Sequence, residues 1–472
     1  MGGPTVAIVL AAGLGTRMKS RTPKVLHLLL GRPMLAYVLA AAEEATGARA
    51  LVVYSPATEA VTTAFAGVAD LALQDEPRGT GDAVRAAIGA LPTDVADVVV
   101  LSGDVPLVAP QLIAELAEAR RVDGAVMTLV TFRTFQPGRL GRVIRSDVDE
   151  DVVARIVEAK DATEAELGVD EVNAGVYAFD AAWLRARIGD LRSSAATGEL
   201  YLTELPALAH ADHRRVTALE VDDDGTLAGI NDRQDLADAS SLMGEIINVA
   251  HMRAGVTMED PSTAYVDATV ELATDVTLEP NVILRGATRV GEGTRIGAGS
   301  RIVDTVIGRD CEIVASVLES AEVEDEVRIG PFAHLRPGAS IGRGARLGNY
   351  AEVKNSRIGP GVQQHHFSYI GDADVGERTN IGAGTITANY DGRRKHRTTI
   401  GARAFIGSDT MLVAPVAIGD DAKTGAGSVV THDVPAGKVA VGVPARLRDP
   451  KPDGVDDAAP APTGPPGNGA DG

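Results

Sequence analysis

The chain has 472 residues, 45% of them hydrophobic but only 3% aromatic, with 52 glycines and a formal net charge of −20. The length suits about three domains of ~150 residues, and the acidity argues against general binding to nucleic acid or anionic membranes, leaving small anions that answer to local cations. Cys311 is the single cysteine, so no internal disulfide can form; a reducing compartment and a small buried apolar role are expected for it.

The apolar run 6–12 is far too short to span a bilayer and no basic segment precedes it, so it reads as a strand and not as a signal peptide. No other run is long enough to cross, and a soluble, cytoplasmic protein is expected. In the first half "TVAIVLAAG", "ALVVYS", "DVVVLSGDVPL" and "GAVMTLVTF" read as strands buried on both faces. Between them "PMLAYVLAAAEEA", "GDAVRAAIGAL" and "PQLIAELAEARR" have helical spacing. This alternation predicts a Rossmann-like α/β domain over residues 1–231 with a mostly parallel sheet, whose ligands sit beyond the carboxyl ends of the strands. Residues 232–254 carry few breakers and read as a helical arm leading into a second domain, 255–448.

That second domain has another period. Aliphatic residues recur every sixth position, at Val323, Ile329, Leu335, Ile341, Leu347 and Val353, and at Ile400, Ile406, Leu412, Ile418 and Val430, with Thr424 completing the second run. Val290, Ile296 and Ile302 begin the pattern earlier. A hexapeptide period predicts a parallel β-helix: each step is one flat face, three steps make a coil, and the aliphatic side chain points inward. Such hexapeptide coils wind left-handed, against the usual crossover rule. Residues 449–472, rich in Pro, Gly, Ala and Asp, read as a disordered tail.

Candidate chemistry begins at "LAAGLGTRMKSRTPK", residues 10–24. Gly13-x-Gly15 completes neither a dinucleotide fingerprint, since position 18 is Met, nor a P-loop, since the glycine is followed by Thr-Arg. It remains a tight turn whose N–H groups can approach phosphate, with Arg17 and Lys24 either adding charge or simply facing solvent. Further along come Gln74, Gly79, Thr80, Gly81 and Ala83 in Q-x-x-x-x-G-T-G-x-A, "SGDVPL" with Asp104, "IVEAKDA" with Glu158, "EVNAGVY" with Asn173 and "GINDRQDL" with Asn231. In that order these elements resemble the sugar-1-phosphate nucleotidyltransferases. With the hexapeptide half, residues 5–447 resemble the bacterial family of bifunctional N-acetylglucosamine-1-phosphate uridyltransferase/glucosamine-1-phosphate N-acetyltransferases, enzymes of cell-wall precursor synthesis.

The resemblance implies uridylyl transfer from UTP to N-acetylglucosamine 1-phosphate, releasing pyrophosphate, in the first domain. Two anions must be brought together there, so the site must align reactants and neutralise charge. It implies that Arg17 and Lys24 stabilise the phosphates, and that Leu10, Ala11, Ala12 and Gly13 meet the nucleotide through their backbone. Gln74, Gly79 and Thr80 would recognise uracil, the glycine leaving room for the base. Ser102, Gly103 and Asp104 would lie at the nucleotide, and Asp104 with Asn231 would hold Mg²⁺. Gly141, Glu158 and Asn173 would bind the sugar, although "QPGRLGRV" lacks the aromatic of the family's G-Y-G-R.

For the second domain the resemblance implies acetyl transfer from acetyl-CoA to glucosamine 1-phosphate. From the residues alone, His365 and His366 can each be a loop residue or a base; the family's His-x-x-Tyr pattern falls on His366 and Tyr369, which makes His366 the general base, oriented by Glu352. Arg336, Lys354, Tyr369, Asn380 and Lys395 would bind the sugar phosphate. Ala383, Asn389, Tyr390, Ser408 and Ala426 would bind acetyl-CoA. Two segments depart from the family: "VQQHH" stands for K-A-x-H, and "VGVPAR" is one residue short. A homotrimer with small-molecule substrates, and no nucleic-acid or membrane partner, is implied. The rival readings are a monofunctional nucleotidyltransferase whose β-helix only assembles or regulates, and a nucleotide-sensing subunit without catalysis.

Overall fold

The computed structural model describes residues 3–194 and 197–449. The chain divides into two compact units, one of residues up to Ala250 together with Val266–Thr269, the other of His251–Tyr265 and the chain from Val270 onward. The tail expected at 449–472 lies outside the described residues beyond Asp449.

The first unit is built on β1 (Thr5–Leu10), α1 (Met34–Thr46), β2 (Leu51–Tyr54), β3 (Asp70–Leu73), α2 (Thr80–Ile88), β4 (Asp97–Ser102), α3 (Pro110–Val122), β5 (Met127–Arg133), β6 (Arg142–Arg145), β7 (Val153–Val157), β8 (Glu171–Asp180) and β9 (Val216–Val221). The order across the sheet is β9-β5-β8-β4-β1-β2-β3, with β6 against β8 and β7 against β6. Alternate residues of one strand feed two cores. Ile8, Val53, Val98 and Val100 pack on one face with Val84 and Phe179. Ala7, Val9, Val52 and Val99 pack on the other with Leu35, Val38, Ile113 and Leu116. A strand covered on both faces has no polar side to show, which is why these runs lack alternation.

The expectation of a mostly parallel sheet holds with one reversal: six of the seven strands in that order point the same way, and β8 runs against them. β1 runs parallel to β2 and β4, but β8 is antiparallel to both β4 and β5, between which it lies. The chain leaves β5, makes the β6–β7 hairpin and comes back as β8. Hydrophobic content alone does not record that reversal. The arm expected at 232–254 is α4 (Arg233–Arg253).

The second unit is a left-handed parallel β-helix. Its strands stack in three sheets of 12, 10 and 9 strands. Every residue of the two six-step runs is buried, Thr424 included. Successive coils stack like on like: Val323 registers with Ile341 and Ile341 with Ile358, and Leu318 registers with Leu335 and Leu335 with Val353. Cys311 is buried in this stack, as expected, and burial pushes its thiol pKa up. The regular coil is interrupted between Ile386–Ala388 and Thr398–Ile400 by a loop that carries Asn389 and Lys395. The last strand, Arg446–Arg448, folds back antiparallel on Val439–Val441.

Candidate functional site

The first unit holds two adjoining clefts at the carboxyl ends of β1 and β4. One, of about 450 Å³, is lined by Leu10, Ala11, Ala12, Gly13, Lys24, Gln74, Gly79, Thr80, Ser102 and Asp104. The other, of about 490 Å³, is lined by Ser102, Asp104, Gly141, Glu158, Asn173 and Asn231. Ser102 and Asp104 belong to both, so the wall between them is the end of β4. All the first-domain candidates except Arg17 and Gly103 line one cleft or the other, and these two are bonded to residues that do.

The glycine loop is held from below. Ala11 N–H donates to the Val53 carbonyl (2.8 Å), and the Ser55 hydroxyl donates to the Ala12 carbonyl (2.8 Å). Arg17 rides on a single 3₁₀ turn, Thr16–Met18, anchored by fully buried Met18. Gly15 has φ +57°, and a Cβ there would come within 2.5 Å of Lys24 Cβ. The glycine thus lets Lys24 pack against the loop that carries Arg17. Gly103 N–H donates to the Leu10 carbonyl (2.9 Å) and Ile230 N–H to the Asp104 carbonyl (2.9 Å), which draws three distant segments together.

The charges meet at that junction. Lys24 Nζ makes a short contact with Asp104 Oδ2 and lies 3.3 Å from Asn231 Oδ1, while Arg17 Nη2 donates to the same Asn231 oxygen at 2.8 Å. Asn231 is itself fixed, its Nδ2 on the Gly229 carbonyl (2.9 Å) and its N–H on Asp235 Oδ2 (2.7 Å). Asp104 and Asn231 therefore form a cradle of hard oxygens in which an ammonium now sits. Two such ligands suit a Mg²⁺ that keeps waters and shares phosphate oxygens. Among the described residues no cluster of three or more His, Cys, Asp or Glu could hold a metal by itself.

In the second cleft Gly141, Glu158 and Asn173 converge. A Cβ on Gly141 would lie 3.7 Å from Glu158 Oε1 and 3.8 Å from Asn173 Cβ. Thr203 donates to Glu158 Oε1 (2.9 Å), and burial raises the Glu158 pKa. Asn173 is clamped between Tyr177 Oη, to which its Nδ2 donates (2.7 Å), and Gly175 N–H, which its Oδ1 accepts (3.0 Å). At Gly79 the space freed by the glycine is used by the protein itself: φ is +107° and a Cβ would meet the Leu200 carbonyl oxygen at 2.5 Å. Leu200 N–H donates to the Arg78 carbonyl and Gly81 N–H to the Leu200 carbonyl, so the glycine docks the 200 segment on the base loop. Thr203 and Leu200 could not be found by motif, because they act only once the fold brings them in.

In the second unit the inward positions Leu347, Gln364 and Ile381 register in turn, and Ile381 with Ile406. Two residues beyond Gln364, Ile381, Ile406 and Thr424 stand His366, Ala383, Ser408 and Ala426, one above another along a single corner. Asp409 N–H donates to the Ala383 carbonyl and Gly427 N–H to the Ser408 carbonyl along the same edge. His366 is exposed. It has φ +61°, whereas in the coils on either side the left-handed residue comes one step later, at Tyr350 (φ +56°) and Gly384 (φ +73°). Left-handed non-glycine corners recur along the β-helix, as at Glu326, Phe332, Arg378 and Asp409, so what sets His366 apart is the one-residue shift of the corner and not the conformation itself.

Arg336 donates to Glu352 Oε1 (2.9 Å), and Glu352 registers with Tyr369. Among the described residues Glu352 Oε1 is engaged by Arg336, and no hydrogen bond joins Glu352 to His366. Lys395 and Arg336 both press on Lys354, and Lys395 is the larger cause of the lowering of its pKa. Three cations thus crowd one corner, and of these Arg336 has the Glu352 carboxylate as a partner. Asn389 Nδ2 donates to Asp372 Oδ2 (2.5 Å) and lies 3.4 Å from Tyr369 Oη; Asn355 Nδ2 donates to the other Asp372 oxygen (2.5 Å). Asp391 pins the inserted loop through the Arg394 N–H, the His396 ring and the Arg393 N–H, which hold its pKa down to about 2. Tyr390 bridges antiparallel to Lys395. Asn380 lies on another sheet, in register with Gln363 and Phe405, and apart from the cation cluster.

The fold and these two sites define a nucleotidyltransferase joined to a hexapeptide-repeat transferase. A MobA-like NTP transferase domain matches residues 7–168, and bacterial transferase hexapeptide repeats match residues 320–355 and 397–432. The Mycobacterium tuberculosis protein described as bifunctional protein GlmU is 44% identical over 447 residues, covering 93% of this chain and 90% of that one. Its Trichlorobacter lovleyi counterpart is 42% identical over 440 residues, with 93% and 95% covered. A solved CMP:2-keto-3-deoxy-manno-octonic acid synthetase complexed with CTP aligns over 52% of this chain and 99% of its own at 20% identity and a TM-score of 0.40. The chain belongs to the GlmU family of bifunctional enzymes. It is a uridyltransferase and an acetyltransferase of UDP-N-acetylglucosamine synthesis.

Proposed function

We propose that the two sites work in sequence, the β-helix acetylating glucosamine 1-phosphate and the first unit joining the product to UMP. The observation that carries the uridylyl reading is the cradle of Asp104 and Asn231 closed by Lys24 and Arg17. Arg17 and Lys24 take the charge of the triphosphate as the sugar 1-phosphate oxygen attacks the α-phosphorus and pyrophosphate leaves. Leu10 to Gly13 lie along the nucleotide, Gln74 and Thr80 at the base, and Gly141, Glu158 and Asn173 at the N-acetylated sugar. Asp104 and Asn231 hold Mg²⁺, which when bound supplies charge neutralisation and alignment of phosphate oxygens.

In the β-helix, Arg336, Lys354 and Lys395 take the sugar phosphate, with Tyr369 beside them. His366 accepts the proton of the amine as it attacks the acetyl-CoA thioester, and the coenzyme thiolate departs. The corner of Ala383, Ser408 and Ala426, with Asn389 and Tyr390 at its side, receives acetyl-CoA. A scaffold that only assembled the molecule would not need the cluster of Arg336, Lys354 and Lys395, and this counts against the monofunctional reading. The sites are completed in a homotrimer acting on small molecules in the cytoplasm.

The test is a coupled assay from glucosamine 1-phosphate with Mg²⁺, adding acetyl-CoA and UTP separately and then together. Pyrophosphate is expected only with both. His366→Ala should abolish acetyl transfer and leave uridylyl transfer from N-acetylglucosamine 1-phosphate intact; equal loss of both would refute this division of labour.

A further inference from the structure

We propose that Asp82 is a positioning residue for base selection: it locks the Gln74 carboxamide so that only an acceptor faces the nucleotide, which favours uracil over cytosine. The proposal rests on the reading of Gln74 as the side chain that meets the base. Gln74 is buried between two clefts, the nucleotide cleft on one side and, on the other, a polar recess lined by Arg78, Asp82 and Arg85.

Gln74 Nε2 donates to Asp82 Oδ2 at 2.8 Å and lies 3.3 Å from the Gly79 carbonyl oxygen. Both partners are acceptors only. A flipped amide would set its own oxygen against a carboxylate and a carbonyl, so one orientation is enforced by chemistry. Asp82 Oδ1 is in short contact with Arg85 and lies 3.6 Å from Arg78, which leaves Oδ2 for Gln74. It is itself buried in the first turn of α2. With both amide hydrogens spent, the atom that Gln74 has left to offer is Oε1. It can accept from the N3–H of uracil; the N3 of cytosine is an acceptor and meets it with repulsion. A site whose polar atom is fixed in role rejects the mismatched base because an unpaired acceptor is left buried. Position 82 is one of the five unspecified places in the Q-x-x-x-x-G-T-G-x-A run, so motif reading passes over it.

The experiment is pyrophosphate release from N-acetylglucosamine 1-phosphate by the full chain, with UTP and CTP each taken to saturation. Asp82→Asn can donate as well as accept, which frees Gln74 to turn over. The ratio of kcat/KM for UTP to that for CTP is expected to fall by about tenfold or more, with the change carried by KM, and Asp82→Glu to keep most of the ratio. A merely structural role would lower both nucleotides together and leave the ratio alone. An unchanged ratio in Asp82→Asn, or equal losses in the Asn and Glu variants, overturns the proposal while the Gln74 reading stands. A wild type that does not prefer UTP overturns both. If the Asn variant fails to fold, Asp82→Ser, whose hydroxyl also donates and accepts, puts the same question.

Discussion

Glu158 is a carboxylate in a place that disfavours charge: burial raises its pKa, and the single Thr203 hydroxyl only partly offsets that. A group whose folded pKa lies above its unfolded value favours the fold while protonated and loses that contribution as the pH rises through the folded pKa. Glu158 therefore works against the empty fold at neutral pH, a cost consistent with a group kept to bind sugar hydroxyls. Glu158→Gln keeps an oxygen for Thr203 and carries no charge. Relative to wild type, its melting temperature should gain progressively from about pH 4.5 to pH 7, while KM for N-acetylglucosamine 1-phosphate rises. Melting curves of the two proteins that stay parallel across that range would show that Glu158 is not the titrating group. At this scale the sequence was legible where a motif names the residue: Arg17, Lys24, Asp104 and Asn231 do meet, across more than two hundred positions of chain. Residues acting through another were not legible. Thr203 and Asp82 carry no motif, and their roles exist only in contacts that the fold makes.

The β-helix is the element whose order was plainest in the chain, because its inward side chains repeat with a fixed period and stack on their own kind. The exception is instructive. Gln364 stands in the inward column between Leu347 and Ile381 at 0% exposure; its Nε2 donates to Ser368 Oγ at 3.0 Å and its Oε1 has no partner. An orphaned buried polar atom costs about 1–3 kcal/mol. Gln364→Leu restores the aliphatic column at similar volume and should raise the denaturant midpoint of the β-helix transition without changing its slope. A lower midpoint would mean that Oε1 has a water partner or that the Ser368 bond outweighs the orphan. Periodicity fails in the same way for the first unit's sheet. β1, β2, β4 and β5 were visible as apolar runs, but β3 and β6 to β9 were not, and the direction of β8 depends on the β6–β7 excursion before it, which leaves no trace in hydrophobic spacing.

Taken whole, the molecule treats its two chemistries differently. The nucleotide cleft is walled by residues of one unit of one chain, from Leu10 to Glu199. The residues proposed for acetyl transfer lie on the outside of a prism: His366 is exposed, Tyr390 is 61% exposed, and on the coils below His366 Phe332 and Tyr350 stack at 5.4 Å between ring centroids while 57% and 58% exposed. An exposed aromatic pair beside that corner offers apolar area that a partner could cover, and thioester aminolysis profits from a walled site that excludes water. In the proposed homotrimer a neighbouring copy of the same prism would supply that wall. It follows that the two activities should respond differently to concentration. On serial dilution, acetyl transfer per chain should fall as copies dissociate, and uridylyl transfer per chain should stay level, with light scattering at each step reporting the mass. Full acetyl transfer from a species of single-chain mass would sink the idea, since one prism would then have proved sufficient.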